Sequence, residues 1–291
     1  NLLKLVAGTV RTWQLIGRHK PQALLTTGGF VSAPVAVACW LRRVPILLYL
    51  PDIEPGLAVK FVAKFASKIG VTTEDSLQYF PAHKVIVTGY PTRSDLAQAD
   101  RLAAQRKFEL VEDRKTLLVW GGSKGARSIN RAIEAVIEQL LAKYQVIHIS
   151  GSTDAAEVQA KRTSLAEELQ RHYHVFEYVH DMGLAFAAVD LVVSRAGASI
   201  LGEYPVFGLP SILIPYPYAW RYQKVNADYL VTQGAALRLA DETLSNTLLP
   251  AIERLLSDEA RRRTMSEAAR SLARPDPALK LAQAVQELAA A

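Results

Sequence analysis

The sequence predicts an α/β protein with two doubly wound domains, each a parallel sheet with helices on both faces. Short aliphatic and β-branched runs alternate with helix-length periodic segments along the whole chain, as they do in βαβ units. The alternation forms two series, separated by a polar stretch that ends at Lys115. The chain has 291 residues, 50% of them hydrophobic and 21% charged, which is a globular composition with room for two domains.

The first series predicts a domain over residues 1–93. Its strand candidates are Ala23–Thr27, Ile46–Leu50, Lys68–Thr72 and Lys84–Thr88. Its helix candidates are Ser32–Arg42, Leu57–Ser67 and Thr73–Phe80. The chain opens at Asn1 inside a helical pattern, so we expect an upstream segment that would complete this domain.

The second series predicts a domain over residues 94–275. Its strand candidates are Thr116–Trp120, Gln145–Ser150, His174–Tyr178, Leu191–Ser194, Ser211–Ile214 and Ala236–Leu239. In Ser128–Tyr144 the apolar residues recur every three to four positions, which predicts a helix with one buried face. Residues 94–115 predict a linker with a solvated helix. Residues 276–291 predict a final helix, Ala278–Ala290, that packs back toward the first domain.

The composition argues against several classes of protein. The single cysteine, Cys39, excludes an internal disulfide and suits a reducing compartment. The net charge of +6 is spread along the chain, which disfavours a nucleic-acid partner. The longest apolar stretch, Phe30 to Leu41, is shorter than the roughly 20 residues of a membrane span. The six histidines show no metal-ligand spacing backed by carboxylates, so we expect no metal site.

The strongest motif is the glycine-rich run from Trp120 to Arg127, between a strand and a helix. Glycines let a ligand approach the backbone, and a helix N-terminus offers free N–H groups and a positive dipole end. The hydroxyl of Ser123 adds a donor. We interpret the run as a cradle for a phosphate or diphosphate, with a plain tight turn as the alternative. Because ligands bind at the carboxyl ends of parallel strands, we expect the site in a cleft between the domains.

Two further segments of the second series follow predicted strands. Ser194 to Ser199 is rich in small residues, and Glu203 lies about one turn into the next helix, where a carboxylate accepts hydrogen bonds from ribose hydroxyls. An exposed helical Glu is the alternative. The segment from Pro215 to Asn226 carries two prolines and four aromatic residues. In it Gln223 and Asn226 are candidate ligands of sugar hydroxyls, unless the segment is only a rigid loop packed on its own domain.

Two features of the first series are candidate acceptor and anion contacts. The turn at Gly28, Gly29 and Phe30 follows a strand and forms a candidate wall of an acceptor site. Arg93, at the end of the series, is a candidate partner of an anionic group, although a solvated surface arginine is the alternative.

A basic surface of the first series carries tryptophans. Lys60, Lys64 and Lys68 recur every four residues, which predicts one helix face. Basic side chains beside apolar and Trp side chains suit an anionic membrane surface. The predicted membrane contacts are Trp13, Trp40, Arg42, Arg43, Lys60 and Lys64. Core packing with solvated lysines is the alternative interpretation.

Together these motifs resemble the MurG family of GT-B glycosyltransferases, which acts in peptidoglycan synthesis, over nearly all of the chain. The matching stretches are Gly121–Arg127 with Lys124 at the family's Gln position, Arg195–Ala198 with Glu203, Pro215–Asn226, Gly28–Ser32 and Pro91–Arg93. The resemblance implies that donor binding involves Arg93, Gly122, Ser123, Lys124, Gly125, Val179, Ala198, Ser199, Glu203, Tyr222, Gln223 and Asn226. It implies that Gly28, Gly29 and Phe30 contact the acceptor.

The chain departs from the family's pattern at two places. The family's Gly-Gly-His loop, which supplies a proposed general base, is expected upstream of Asn1. The family's His-Glu-Gln-Asn stretch is here Tyr49-Leu50-Pro51-Asp52, in which Leu50 lacks the polar contacts of a Glu. Within this chain Asp52 is the candidate base.

The resemblance implies an inverting transfer of GlcNAc from UDP-GlcNAc to the MurNAc 4-hydroxyl of undecaprenyl-diphospho-MurNAc-pentapeptide, with no bound metal. It implies a peripheral enzyme on the cytoplasmic face of the bacterial plasma membrane. Three alternatives stay open: a related transferase with another lipid acceptor such as diacylglycerol, a UDP-GlcNAc 2-epimerase, and a non-catalytic nucleotide-sugar-binding fragment.

Overall fold

The protein is described by a computed structural model that covers residues 2–94, 96–122, 124–218 and 221–290. The chain divides into two compact units. Unit 1 comprises Asn1–Thr92 and Arg274–Ala291, and unit 2 comprises Arg93–Ala273. Each unit contains one sheet in which all neighbouring strands are parallel, as the alternating pattern predicts.

Unit 1 has a four-stranded sheet in the order β1-β2-β3-β4. Its elements are α1 (Leu2–His19), β1 (Leu24–Thr26), α2 (Ser32–Leu41), β2 (Ile46–Leu50), α3 (Leu57–Ala63), β3 (Lys68–Val71), β4 (Val85–Val87) and α13 (Pro277–Ala290). The predicted helix Thr73–Phe80 is a 3-10 segment, Glu74–Tyr79. Its Ser76 hydroxyl donates to the carbonyl of Ile53 at 2.9 Å, which fixes the segment against the loop after β2.

The two faces of β2 are both covered, because alternate residues of a strand point to opposite sides of a sheet. Leu48 and Leu50 belong to the apolar core that α2 and α3 cover. Leu47 and Tyr49 form a separate cluster with Leu281 and Ala284 of α13. The C-terminal helix therefore completes the core of unit 1.

Unit 2 has a six-stranded sheet in the order β10-β9-β8-β5-β6-β7. Its strands are β5 (Thr116–Trp120), β6 (Gln145–Ile149), β7 (Tyr173–Phe176), β8 (Leu191–Ser194), β9 (Ser211–Leu213) and β10 (Ala236–Arg238). Its helices are α4 (Arg101–Lys107), α5 (Arg127–Leu141), α6 (Ala155–Ser164), α7 (Glu167–Gln170), α8 (Met182–Ala188), α9 (Ile200–Phe207), α10 (Tyr222–Thr232), α11 (Leu244–Ser257) and α12 (Glu259–Ser271). The strand order reverses between β5 and β8, and ligands bind at such a switch point.

Helix α5 shows why the sequence folds this way locally. Its apolar residues Ile129, Ile133, Ile137 and Leu140 are fully buried in the core of unit 2, on one face of the helix. Burial of this stripe fixes α5 on the sheet and places its N-terminus at the carboxyl end of β5.

The prediction of a solvated helix between the domains is wrong on one face of α4. Asp100 caps the helix by accepting from the Ala103 amide at 2.8 Å. Ala104 and Phe108 are buried, and the Phe108 ring packs edge-on against Phe176 at 5.5 Å. The segment is part of unit 2 because these two apolar residues anchor it.

No helix in the described part of the chain is long and apolar enough to span a membrane. The described residues also contain no group of three or more His, Cys, Asp or Glu side chains placed to hold a metal ion.

Candidate functional site

Unit 2 contains a cavity of about 700 Å³, which we call the switch-point cavity. It lies at the carboxyl ends of β5 and β8, where the strand order reverses. Three loops form most of its wall: the glycine-rich loop after β5, the turn after β8 and the loop after β9. The lining includes Gly121, Gly122, Lys124, Gly125, Arg127, Ser128, Asp154, Arg195, Ser199, Tyr216, Gln223 and Asp241.

The loop after β5 is shaped by its glycines. Gly122 has φ +85° and Gly125 has φ +79°, in the left-handed region that favours glycine. The Gly125 amide donates to the Gly122 carbonyl at 2.9 Å, and a side chain on Gly125 would collide with the carbonyl of Ser150. The loop therefore has no side chain at Gly122 and Gly125, and its backbone is open to a ligand there. It leads directly into the N-terminus of α5, which favours an anion. Ser123 lies outside the described residues.

The cavity wall carries positive charge from three side chains. Lys124 is exposed, and no partner is described for its ammonium. Arg127 donates from Nε to Asp154 Oδ1 at 2.8 Å. Both terminal nitrogens of Arg195 already donate hydrogen bonds within the protein. Nη2 donates to the Ser128 hydroxyl at 2.8 Å, and Nη1 donates to the Ile214 carbonyl and to Asp241. Lys124 and Arg127 therefore have donors left for an anion, whereas Arg195 joins the loops of the wall.

Glu203 is not an exposed helical carboxylate. Burial raises its pKa, while the Ser199 hydroxyl and the Arg93 guanidinium favour its charged form. Its Oε2 is buried without a hydrogen-bond partner among the described residues. Such an oxygen in a native protein calls for a partner, because burying an unpaired polar atom is costly. Glu203 is not part of the cavity lining, but it lies one turn beyond Ser199, which is.

The loop after β9 places two of the predicted sugar ligands differently. Gln223 lines the cavity, and its Oε1 accepts from the Tyr216 amide at 2.8 Å. Asn226 is fully buried and donates to the carbonyl of Ala196 at 3.2 Å. The Asn226 side chain therefore supports the turn after β8, and its role as a sugar ligand stays a prediction. Trp220 lies outside the described residues.

The predicted donor residues are thus separated into two groups. Gly122, Lys124, Gly125, Ser199 and Gln223 line the cavity. Six others do not: Arg93, Val179, Ala198, Glu203, Tyr222 and Asn226. Val179 is buried in the loop between β7 and α8, Tyr222 is the half-buried first residue of α10, and Arg93 is exposed.

Asp154 and Asp241 line the cavity but were missed as site residues. Each follows the carboxyl end of a strand, Asp154 after β6 and Asp241 after β10. The polar run Ser152-Thr153-Asp154 after a buried strand was a usable signal, because parallel strands present their carboxyl ends on one edge.

The acceptor candidates lie at the carboxyl ends of β1 and β2 in unit 1. Gly28 has φ +81°, and a side chain there would come within 2.6 Å of Val59 Cγ2. Phe30 is 82% exposed. Leu50 is buried in the core, while Asp52, just beyond β2, is half-buried.

The basic surface of unit 1 differs from the prediction at Lys68. Lys68 is the first residue of β3, and its ammonium pairs with Glu287 at 2.6 Å, so it does not continue the α3 face. Lys60 and Lys64 are exposed, as are Arg43 and Trp40. The Arg42 guanidinium lies 4.0 Å from the centre of the Trp13 ring, a cation–π contact.

Comparisons with known proteins give a consistent family. Residues 116–283 match the glycosyltransferase family 28 C-terminal domain, and residues 1–71 match the N-terminal domain of that family. The UDP-N-acetylglucosamine--N-acetylmuramyl-(pentapeptide) pyrophosphoryl-undecaprenol N-acetylglucosamine transferase of Roseiflexus sp. is 43% identical, over 99% of this chain and 74% of its own length. The enzyme of the same name from Salinibacter ruber is 38% identical, over 98% of this chain and 77% of its own.

Solved structures agree on the fold. Acinetobacter baumannii MurG superposes with a TM-score of 0.81 at 22% identity, over 99% of this chain and 81% of that one. The UDP-GlcNAc 2-epimerase of Neisseria meningitidis, bound to UDP-GlcNAc, superposes with a TM-score of 0.68 at 12% identity, over 97% of this chain and 81% of that one.

Proposed function

The chain belongs to glycosyltransferase family 28, and from that membership we propose that it transfers GlcNAc from UDP-GlcNAc to the 4-hydroxyl of MurNAc in undecaprenyl-diphospho-MurNAc-pentapeptide. The names of its relatives support this substrate pair. The observation within the structure that carries the proposal is the switch-point cavity, a bare glycine loop and helix N-terminus flanked by two cations.

The reaction is a single displacement with inversion. The MurNAc oxygen attacks the anomeric carbon, the bond from that carbon to the β-phosphate oxygen breaks, and UDP leaves with the electron pair. Negative charge grows on the diphosphate, so preorganised positive charge lowers the barrier. Lys124, Arg127 and the α5 N-terminus supply that charge, so the proposed chemistry uses no bound metal.

Glu203 is the proposed ligand of the ribose hydroxyls. Its Oε2 is buried without a partner among the described residues, and a ribose hydroxyl would donate the missing hydrogen bond. A carboxylate accepts from two neighbouring hydroxyls, which suits a ribose diol.

The acceptor proton needs a base. Asp52 is the proposed base within this chain. Support comes from its place just beyond the carboxyl end of β2, the edge at which parallel sheets bind ligands. Replacing Asp52 by Asn should lower kcat with UDP-GlcNAc and a lipid I analogue, while UDP affinity stays unchanged, because Asn keeps the shape and loses the basic group.

Unit 1 is the proposed membrane-facing part, and we propose that the enzyme is peripheral on the cytoplasmic face of the plasma membrane. Unit 1 exposes both large apolar side chains and cations: Phe30, Trp40, Leu57 and Phe61, and Arg42, Arg43, Lys60 and Lys64. Exposed apolar side chains together with cations suit anionic lipid. Sedimentation with vesicles of phosphatidylglycerol should exceed that with phosphatidylcholine and fall with salt. Charge reversal of Lys60 and Lys64 together should remove the difference.

One assay separates this function from its alternatives. The protein is incubated with radiolabelled UDP-GlcNAc, alone, with a lipid I analogue, or with diacylglycerol. Label transferred only to the lipid I analogue supports the proposal. Label in diacylglycerol indicates the related lipid transferase, and UDP-ManNAc formed without any acceptor indicates an epimerase. UDP binding without turnover indicates a nucleotide-sugar-binding fragment.

A further inference from the structure

A chain of hydrogen-bonded side chains runs from the interior of unit 2 to the wall of the switch-point cavity. His148, on β6, is fully buried, with Nδ1 2.7 Å from the Tyr173 hydroxyl and Nε2 3.0 Å from Asn130 Oδ1. Asn130 Nδ2 donates to Asp154 Oδ2 at 2.9 Å. Asp154 Oδ1 accepts from Arg127 Nε at 2.8 Å. We call these five residues the His148 network.

The network has a single consistent direction. Asn130 Nδ2 also donates to the Ser150 carbonyl at 3.0 Å, so the amide nitrogen is fixed and Oδ1 is the acceptor. His148 must then carry its proton on Nε2 and accept from Tyr173 at Nδ1. Burial lowers the pKa of His148 to about 3, so the ring is neutral at pH 7. Every polar atom of the His148 ring therefore has a partner.

The outer end of the network is a partly engaged arginine. The Arg127 side chain is 55% exposed, and Asp154 is 3% exposed. Only Nε of Arg127 has a hydrogen-bond partner among the described residues, so its two terminal nitrogens are available at the cavity wall. A guanidinium held by one edge presents its other donors in a fixed fork, which matches a phosphate.

We propose that Arg127 is a ligand of the donor's diphosphate and that Asp154, Asn130 and His148 are positioning residues that hold it. This inference rests on the proposed function, because the ligand is the diphosphate of UDP-GlcNAc. A guanidinium fixed before binding loses less side-chain entropy on binding than a free one, which raises affinity. The buried polar side chains of the His148 network therefore have a role besides packing, which is to fix the Arg127 guanidinium before the diphosphate binds.

The test is a double-mutant cycle read by calorimetric titration of UDP. Arg127→Ala should weaken UDP binding about tenfold, the loss expected for one charge-assisted hydrogen bond. His148→Leu should weaken UDP binding by a smaller factor and leave uridine, which has no phosphate, unaffected. In the Arg127→Ala background His148→Leu should have no further effect on UDP, because positioning residues act only through the residue they position.

Controls distinguish positioning from loss of stability. Val146→Ala removes two methyl groups from the same face of β6 but no hydrogen-bonding group of the network, and it should leave UDP affinity unchanged. Tyr173→Phe removes only the hydroxyl, and it replaces His148→Leu in the cycle if that variant does not fold. His148→Gln keeps a donor and an acceptor, so it should recover part of the affinity.

Two results would overturn the inference, and they differ from failure of the function. Equal factors for His148→Leu in both backgrounds would show that the network does not act through Arg127. Equal losses for UDP and uridine would show a general disturbance of unit 2. If the unaltered protein binds no UDP, the proposed function itself fails and the inference fails with it.

Discussion

The indole Nε1 of Trp120 donates a 2.9 Å hydrogen bond to the phenol oxygen of Tyr204. Trp120 ends β5, and Tyr204 lies in α9, where its oxygen also bonds the Ser194 hydroxyl at the end of β8 at 2.6 Å. One buried phenol thus joins the two strands between which the sheet order reverses. This side-chain link adds to the main-chain ladder that already pairs Trp120 with Ser194 at the carboxyl ends of β5 and β8.

Tyr204→Phe should destabilise unit 2 by about 1–3 kcal/mol, because the Trp120 donor and the Ser194 hydroxyl lose their shared partner in a buried site. Thermal unfolding would measure the change. Phe186, which packs edge-on against the Tyr204 ring at 5.7 Å, keeps its contact in this variant. An unchanged unfolding temperature would mean that Trp120 and Ser194 find other partners.

Gly125→Ala should reduce UDP affinity and lower the unfolding temperature. The φ of +79° strains any other residue, and a methyl group would collide with the Ser150 carbonyl. We expect a loss of at least about 2 kcal/mol in the free energy of unfolding. Gly197→Ala is the matched stability control, because nothing lies within 4 Å of an added Cβ there. Similar losses for both variants would contradict the explanation.

Glu203→Gln should weaken UDP binding by about 1–3 kcal/mol, the worth of a hydrogen bond to a charged group, while leaving the fold intact. Because burial raises the pKa of Glu203, the folded protein binds the carboxyl proton more tightly than the unfolded chain does, and protonation at low pH stabilises the fold. That contribution is present below the ordinary pKa and is lost as pH rises through the folded value. Unfolding measured across this pH range should show the loss, and Glu203→Gln should remove it.

Lys124→Gln introduces the residue that the resemblance described above assigns to this position. We expect weaker UDP binding at low ionic strength and a smaller difference at high salt, because an exposed ammonium acts mainly through screened Coulomb attraction. Titrations at two salt concentrations would check this. A difference that does not change with salt would point to a direct, unscreened contact instead.

Acid should destabilise unit 2 through His174. Burial, with Arg162 and His172 as further causes, lowers the pKa of His174 to about 4. Between the unfolded value near 6.5 and about 4, the unfolded chain binds a proton that the folded protein does not, so stability falls as pH falls. The free energy of unfolding, measured with denaturant, should therefore fall more steeply from pH 7 to 4 for the wild type than for His174→Gln. Parallel curves from pH 7 to 4 would count against this assignment.

The sequence predicted strands best where an apolar run has clear ends. Thr116–Trp120 and Leu191–Ser194 match the structure at both ends, because buried central strands of a parallel sheet are apolar on both faces. The predicted helix Leu57–Ser67 ends at Ala63, and Lys68 begins β3, as its strand prediction has it. The four-residue spacing of Lys60, Lys64 and Lys68 therefore does not mark one helix face.

The parts of the site that depend on backbone conformation could be predicted from the sequence. The parts that depend on side-chain placement were harder to predict. Gly122 and Gly125 stand where a turn between strand and helix needs positive φ, which a sequence signals directly. Asn226 is polar and close to the cavity in sequence, yet its burial is decided by the packing of α10. Asp154 and Asp241 join the wall from separate loops, and only the three-dimensional strand order brings them to one edge.

Because α13 belongs to unit 1, the two units complete their sequences in a fixed order during synthesis on the ribosome. The first segment of unit 1 emerges early, but the face of β2 that carries Leu47 and Tyr49 waits for Leu281 and Ala284. All of unit 2 is synthesised in the interval. Unit 2 thus has its whole sequence before unit 1 does, and a nascent chain arrested before Pro277 would present an unfinished apolar face to chaperones.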